Sequence, residues 1–476
     1  MENGPSQTDL SDAVEFLRDG SENSTKSRTL CAEEIPFINT STAFVFGVKE
    51  RETETKMVEE EYVVIVGAGI AGLATALALK RLGIRSLVLE RSEGLRATGA
   101  ALTLFPNAWL ALDALGVSHK LTSIYAPIKR GLLTNVQTGA TQEVSFAAGT
   151  NGTGAGPRSV HRKSLLEALA SELPIDTIRF SSKVSAIETQ TQEGSPITII
   201  HLGDGTIIKA KMLIGCDGVH SVVGHWLGLA APVSSGRSAM RGLAVFPQGH
   251  GLNQEVQQFL DAGTRAGFVP LTDKEIYWFF VYQSLPNGEN FAGNPELIQR
   301  ELLENYAKHL PPLYLDIVRH CDLSTLTWAP LMFRYPWDIM FKNLSKDNIT
   351  VAGDAMHPMT PDLGQGGCSA LEDAVVLGRH IGKLLTEQGK LDSRDIAKTI
   401  DGYVQERRWR VTWLVIGSYL SGWAQLGGSN WWKKFLRDVV FYKYLFPRIV
   451  KAVQYDCGKL PSVSFASELE SSSKLD

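Results

Sequence analysis

The sequence predicts an α/β chain in which a parallel sheet wrapped by helices is interrupted by an antiparallel sheet and followed by C-terminal helices. Three observations predict it. The β-branched run Tyr62 to Val66 leads straight into Gly67-Ala68-Gly69-Ile70-Ala71-Gly72 and an Ala- and Leu-rich segment. Short strand-like runs separated by turns fill the middle of the chain. A further buried run, Asn348 to Ala352, delivers Gly353-Asp354 ahead of a glycine-rich turn and a long helical stretch. At 476 residues, 44% of them hydrophobic, the chain is long enough for two or three domains with a sizeable core.

Taken in order, residues 1 to 58 mix Ser, Thr and Asn with many acids and read as a largely disordered extension. They lack the Arg-rich, acid-poor character of a transit peptide and the apolar stretch of a secretory signal. A cytoplasmic location is the expectation, with plastid or membrane-associated placement kept as alternatives. Lys plus Arg total 47 against 51 for Asp plus Glu, a net charge of −4, so no basic field exists to hold nucleic acid. The five cysteines lie far apart and the histidines show no ligand spacing, so no metal is expected.

The first structured unit reads as strand, turn, helix and strand. Tyr62–Val66 has the continuous apolar pattern of a strand buried on both faces, Leu73–Leu82 is a helix stopped by Gly83, and Ile84–Leu89 is a second strand ending at Glu90. In that context G-x-G-x-x-G marks a Rossmann-like dinucleotide site. Gly67 permits the tight turn, Gly69 lets the backbone approach a pyrophosphate, and Gly72 lets the helix pack closely. The helix N-terminus offers unpaired N–H groups to the phosphates. Glu90 can accept hydrogen bonds from ribose hydroxyls and disfavours a 2′-phosphate, which leaves NAD and FAD both open.

Two later motifs add to the site. Gly203-Asp204-Gly205 is a hairpin turn between apolar runs. Gly215-Cys216-Asp217-Gly218, by contrast, closes the strand Met212–Ile214 where open α/β sheets place ligand contacts. After Gly353-Asp354 a proline-stiffened loop containing Pro361 leads to Gly364-Gln365-Gly366-Gly367-Cys368 and a helix expected from about Ser369 to Leu385. Asp354 can hold a ribityl or ribose hydroxyl, and the Gly364–Gly367 amides can face a flat, electron-rich ring.

These motifs, in this order over residues 60 to 415, resemble the group A flavin-dependent aromatic monooxygenases, the family of para-hydroxybenzoate and salicylate hydroxylases. The Gly364–Cys368 wording is similar to that of the plant members, zeaxanthin epoxidase among them. The resemblance implies FAD as cofactor, NAD(P)H as a transient co-substrate, and O2 and a small electron-rich molecule as the other reactants. It implies that oxygen adds to the reduced ring as a hydroperoxide that hydroxylates or epoxidises the substrate. It assigns Gly67, Gly69, Gly72 and Glu90, with neighbouring Arg91, to the ADP half of FAD, and Asp217 with Gly218 to FAD and passing NAD(P)H. Gly353 and Asp354 fall to the ribityl and pyrophosphate portion, and Pro361, Gly364, Gln365, Gly366 and Gly367 to the turn beside the ring. The family arginine matches Arg162. Two positions depart from the pattern: Gly224 stands where Ser-x-x-Arg has its arginine, and Cys368 where asparagine is usual. A reductase or a non-oxygenating flavin-binding regulatory protein on the same fold is the alternative function.

The organisation expected from this is an FAD-binding domain in two parts, 59–232 and 328–400, with an antiparallel substrate-side sheet inserted over 233–327. C-terminal helices follow over 401–458 and a polar tail over 459–476. In the inserted sheet Phe268, Tyr277 and Phe279 are candidate pocket residues. Beyond Arg410 no charge occurs until Lys433, and five tryptophans fall between Trp409 and Trp432, so these helices pack on the flavin domain with peripheral membrane contact as the alternative.

Overall fold

A computed structural model describes residues 58–95, 100–146, 156–284, 293–388, 393–425 and 453–462. The expected extension falls outside the described residues except for Val58, as does most of the tail. From the start of the described chain, β1 (Val58–Val66) leads through the glycine turn into α1 (Ile70–Arg81) and β2 (Leu87–Leu89). Next come β3 (Ala101–Leu104), α2 (Pro106–Leu115), β4 (Arg130–Asn135), β5 (Thr141–Ser145), β6 (Arg158–His161) and α3 (Arg162–Ala170). After β7 (Ile178–Arg179), the strands β8 (Val184–Gln192), β9 (Ser195–Leu202) and β10 (Ile207–Gly215) form a meander that ends at α4 (Val222–Trp226).

The parallel core of the first sheet can now be assembled. Here β1 lies between β2 and β10 and pairs in parallel with both, while β7 extends the β2 side. Its residues Val63, Val64 and Ile65 are all buried, which is why the segment reads as an unbroken apolar run instead of an alternation. Helix α1 buries ten consecutive residues from Ile70 to Leu79, all round its circumference, between this sheet and neighbouring helices. Full burial of a side chain such as Leu73 or Leu77 is worth about 1.5–3 kcal/mol.

The second sheet follows: β11 (Val233–Val245), β12 (Glu255–Asp261), β13 (Thr264–Pro270) and β14 (Glu275–Gln283), then helices α5 (Pro295–Glu301) and α6 (Pro312–Arg319), and β15 (Thr327–Phe333). The strand order is β15-β11-β14-β13-β12-β4-β5, antiparallel except where β12 meets β4. The chain then returns through α7 (Pro336–Phe341), β16 (Ser345–Lys346) and β17 (Ile349–Val351), and β17 pairs in parallel with β10. Two long helices, α8 (Gly366–Gln388) and α9 (Ser393–Gln425), complete the described fold.

Several expectations change. The substrate-side sheet is not confined to 233–327: it borrows β4 and β5 from residues 130–145, and β15 ends at Phe333. The hairpin strand after Gly205 and the buried strand before Cys216 are one element, β10, antiparallel to β9 at its start and parallel to β1 along its length. Helix α8 starts at Gly366, three residues before the expected Ser369, and its first turn fits closely against Leu102, which a Cβ on Gly367 would meet at 2.7 Å. Residues 426–452, a little under half of the expected C-terminal helices, lie outside the described residues.

Candidate active site

The carboxyl ends of β1, β2, β10 and β17 lie at one edge of the parallel sheet, and short backbone bonds stitch them together. Gly67 N–H donates to Leu89 O at 2.7 Å, Cys216 N–H to Val66 O at 2.7 Å, and Ala352 N–H to Gly215 O at 2.9 Å. The residues that follow each strand therefore share one groove, the crevice where open α/β sheets bind ligands. The groove is lined by Gly67, Gly69, Glu90, Arg91, Arg162, Asp217, Gly218 and Asp354, all candidates from the sequence. Lys183 and His220 also line it, and neither was singled out beforehand because no spacing rule marks them.

The glycines divide by what surrounds them. A Cβ on Gly69 would meet nothing within 4 Å, so that backbone borders open groove. A Cβ on Gly67, whose φ is +102°, would fall 2.5 Å from Cys216 O, and one on Gly72 would fall 1.9 Å from Gly67 O. Gly69 thus presents the cradle a dinucleotide needs, while Gly67 and Gly72 hold the turn against its neighbours. Gly353 likewise packs beneath the groove wall, where a Cβ would press on Ala71 at 2.8 Å.

Among the acids, Glu90 is 4% exposed and its two oxygens accept the N–H groups of Ala68 and Ser92, each at 2.9 Å. The carboxylate is thereby fixed at the end of β2, where it lines the groove. Asp217 turns its oxygens to the start of α4, accepting from Ser221 Oγ at 2.5 Å and Val222 N–H at 2.6 Å. Burial raises its pKa, against the pull of those donors. Asp354 faces the groove. Its carboxyl pKa is raised by the surrounding protein, with His357 and Arg162 acting in the opposite direction. The start of α8 lies beside it: a Cβ on Gly366 would sit 3.9 Å from Asp354 Oδ1.

The glycine-rich turn lies beside Asp354 and packs inward on the start of the chain's first helices and strands. Pro361 begins a short helical turn, Gly364 packs on Phe105, Gly367 on Leu102, and Gln365 is fully buried. Gln365 points inward, its Oε1 accepting from Asn107 Nδ2 at 2.9 Å, while its buried Nε2 has no hydrogen-bond partner among the described residues. Behind the turn lies a buried ion network. Asp373 accepts from Gly353 N–H at 2.8 Å, pairs with His357 Nε2 at 2.7 Å and accepts from Arg407 Nε at 2.7 Å. Glu372 pairs with Arg407 and Arg410 and accepts from Asn107. His357 accordingly orients the loop after Asp354.

The cation missing at position 224 arrives from elsewhere. A Cβ on Gly224 would already lie 3.2 Å from Ala355 O. Arg334, 2% exposed at the end of β15, donates to that same carbonyl at 3.4 Å and to Ala230 O. It ties the segment after Asp217 to the loop after Asp354, a role only the folded chain discloses. Cys368 is fully buried, its thiol pushed up to about 12 chiefly by burial, so it is an inert packing residue.

The three aromatic candidates separate by face. Phe268 pairs in register with Trp278, and both pack under α5 and α6 in the sheet's own core. Phe268 is therefore not a pocket residue. Tyr277 and Phe279 lie on the opposite face, where Tyr277 packs with Leu243, Leu271, Ala100 and Ala101 of the groove side. That face also carries guanidinium groups. Arg237 makes a bidentate pair with Asp362 at 2.9 and 2.7 Å, and Arg265 reaches the same carboxylate at 3.3 Å. Arg241 lies on the same face of β11, near Tyr277, and its Nε is buried without a hydrogen-bond partner among the described residues.

Residues 60–417 match the family described as FAD binding domain. Monooxygenase 2 of Arabidopsis thaliana is 43% identical over 408 residues, covering 84% of this chain and 98% of that protein. The FAD-dependent urate hydroxylase of Klebsiella pneumoniae is 28% identical over 356 residues, covering 74% of this chain and 87% of that protein. Among solved structures, Klebsiella pneumoniae HpxO complexed with FAD and uric acid superposes with a TM-score of 0.70 at 25% identity, covering 84% of this chain and 98% of that one.

Proposed function

This chain belongs to the FAD binding domain family of FAD-dependent monooxygenases, and from that premise we propose that it oxygenates a small, anionic, electron-rich ring compound at the expense of NAD(P)H. The observation that carries the substrate class is Arg241, on the sheet face that also bears Tyr277 and Phe279, a guanidinium whose Nε is buried without a hydrogen-bond partner among the described residues. Uric acid, held by the Klebsiella relative, is of this acidic class.

FAD fits the groove, since the open backbone at Gly69 and the hydroxyl acceptors Glu90 and Asp354 supply what a dinucleotide requires. When bound, it takes reducing equivalents from NAD(P)H and activates O2, so that one oxygen atom enters the substrate and the other leaves as water. The protein's residues do the rest. Arg91, Arg162 and Lys183 line the groove and offset phosphate charge. Arg241 meets the anion: a guanidinium holding a carboxylate or ring-oxygen anion fixes the ring and keeps it deprotonated, which makes its carbons more nucleophilic. The apolar residues of the same face, Ala239, Val281, Leu331 and Phe279, exclude water from the reaction.

The test is Arg241→Gln in the FAD-loaded enzyme, screened with matched anionic and neutral phenols. The expected outcome is a KM raised about tenfold or more for the anionic member alone, with unchanged FAD content. Equal effects on both members would contradict the assignment.

A further inference from the structure

The last half of α9 offers a surface that oxygenation does not use. Its inner face is buried through Tyr403, Arg407, Val411, Leu414, Ser418 and Ser421. Its outer face carries Trp409 and Trp413, each 60% exposed, Leu420 at 37% and Trp423 at 36%, with half-buried Ile416 between them. These positions fall at alternating intervals of four and three residues, so they form one stripe about 21 Å long at 1.5 Å per residue. Ring contacts continue sideways through buried Phe333 to further exposed aromatics. Tyr419 lies 5.0 Å from Phe333, which leads through Tyr335 to Trp337 on α7, and Phe341 at the end of α7 is 80% exposed. So many large rings in one exposed region mark an interaction surface.

We infer that this face docks on an anionic lipid surface. Two observations select that occupant. Tryptophan, with an apolar ring and one polar N–H, suits the headgroup level of a bilayer, whereas a helical seam to a second copy favours Leu, Ile and Val that fit between facing side chains. Charge agrees as well. No Asp or Glu occurs from Arg407 to Gln425, and the 27 residues that follow α9 hold Lys433, Lys434, Arg437, Lys443, Arg448 and Lys451 against Asp438 alone. Among the described residues no helix is long and apolar enough to cross a membrane, so the contact is interfacial. On the inner side of the same helix, Gly422 lies directly against the Arg237 guanidinium, where a Cβ would fall 2.2 Å from Nη1. The docked surface is thus one helix thickness from the Arg237–Asp362 pair, and the substrate side of the molecule faces the lipid.

Flotation of the full-length, FAD-loaded protein with phosphatidylcholine vesicles, with and without about 30% phosphatidylglycerol, tests this independently of turnover. The wild type is expected to float with the anionic vesicles, with a blue shift of tryptophan emission. Trp409→Ser combined with Trp413→Ser is expected to bind about tenfold more weakly or worse while retaining FAD. Phe341→Ser, on a different element, is expected to weaken binding in the same direction. The inference is overturned if the wild type stays in the soluble fraction, or if the variants float as well as it does, which leaves the contact to the basic residues alone. It is equally overturned if the wild type forms a lipid-independent dimer that the tryptophan variants abolish.

Discussion

Gly67, Gly69 and Gly72 look equivalent in the sequence motif but answer to different forces. A Cβ at position 72 would collide with Gly67 O at 1.9 Å, whereas at position 69 it would enter the open groove. Gly69 also has an extended backbone, φ −81° and ψ −171°, that any residue adopts. Replacing it by Ala costs the apoprotein about 0.5–1 kcal/mol, because Ala caps a helix less well than Gly. Gly72→Ala, an overpacking change against backbone, costs on the order of 1–3 kcal/mol. Thermal unfolding of the apoproteins together with FAD titration separates them. Gly69→Ala is expected to nearly keep its midpoint and lose FAD affinity, and Gly72→Ala to lose the midpoint first; the reverse pattern would contradict the division. The motif itself was legible because strand, turn, helix and terminal Glu90 stand in the spacing that a phosphate-binding turn requires. Gln365 was not legible, since a residue in a glycine-rich turn carries no sign of facing inward to Asn107.

At the scale of elements, α8 and α9 are joined by charge as much as by apolar contact. Burial pushes the carboxyl pKa values of Glu372 and Asp373 up, but their partners together outweigh it, Arg407 with Arg410 at Glu372 and His357 with Arg407 at Asp373, and both end below the usual range. Groups lowered in the folded state contribute stability that is fully present above their unfolded values of 4.5 and 3.8 and is lost as pH falls through the folded values. Arg407→Leu leaves two buried carboxylates underpaired and is expected to destabilise by about 3–5 kcal/mol at neutral pH. The deficit should shrink on acidification, as the carboxylates take up protons in the variant at higher pH than in the wild type. Denaturant unfolding of both proteins from pH 7 to pH 4 measures this, and a pH-independent difference would contradict it. None of these pairings is visible in sequence, because Asn107, His357, Glu372, Asp373 and Arg407 come from distant elements. Strands were more legible than their faces. Alternation along β13 and β14 places Phe268 with Trp278 and opposite Tyr277 and Phe279, but only the observed register fixes which face meets the groove.

For the molecule as a whole, the parallel sheet is the device that brings residues 67–72, 90, 217–218 and 354 together, because the strands that deliver them end at one edge. That convergence was legible: each segment is a buried apolar run that ends in glycine or an acid. The second sheet was legible only as alternating strands. Its recruitment of β4 and β5, its guanidinium-bearing face and the bridge made by Arg334 depend on pairings between residues more than a hundred positions apart. The central claim is that these separated segments form one FAD site. It is tested most directly by stripping the purified protein of flavin, titrating FAD into wild type and Asp354→Ala, and measuring the retained flavin by its absorbance after gel filtration. Wild type is predicted to retain FAD in equimolar amount and Asp354→Ala markedly less. A wild-type protein that emerges colourless, or a variant that retains as much as wild type, would contradict it.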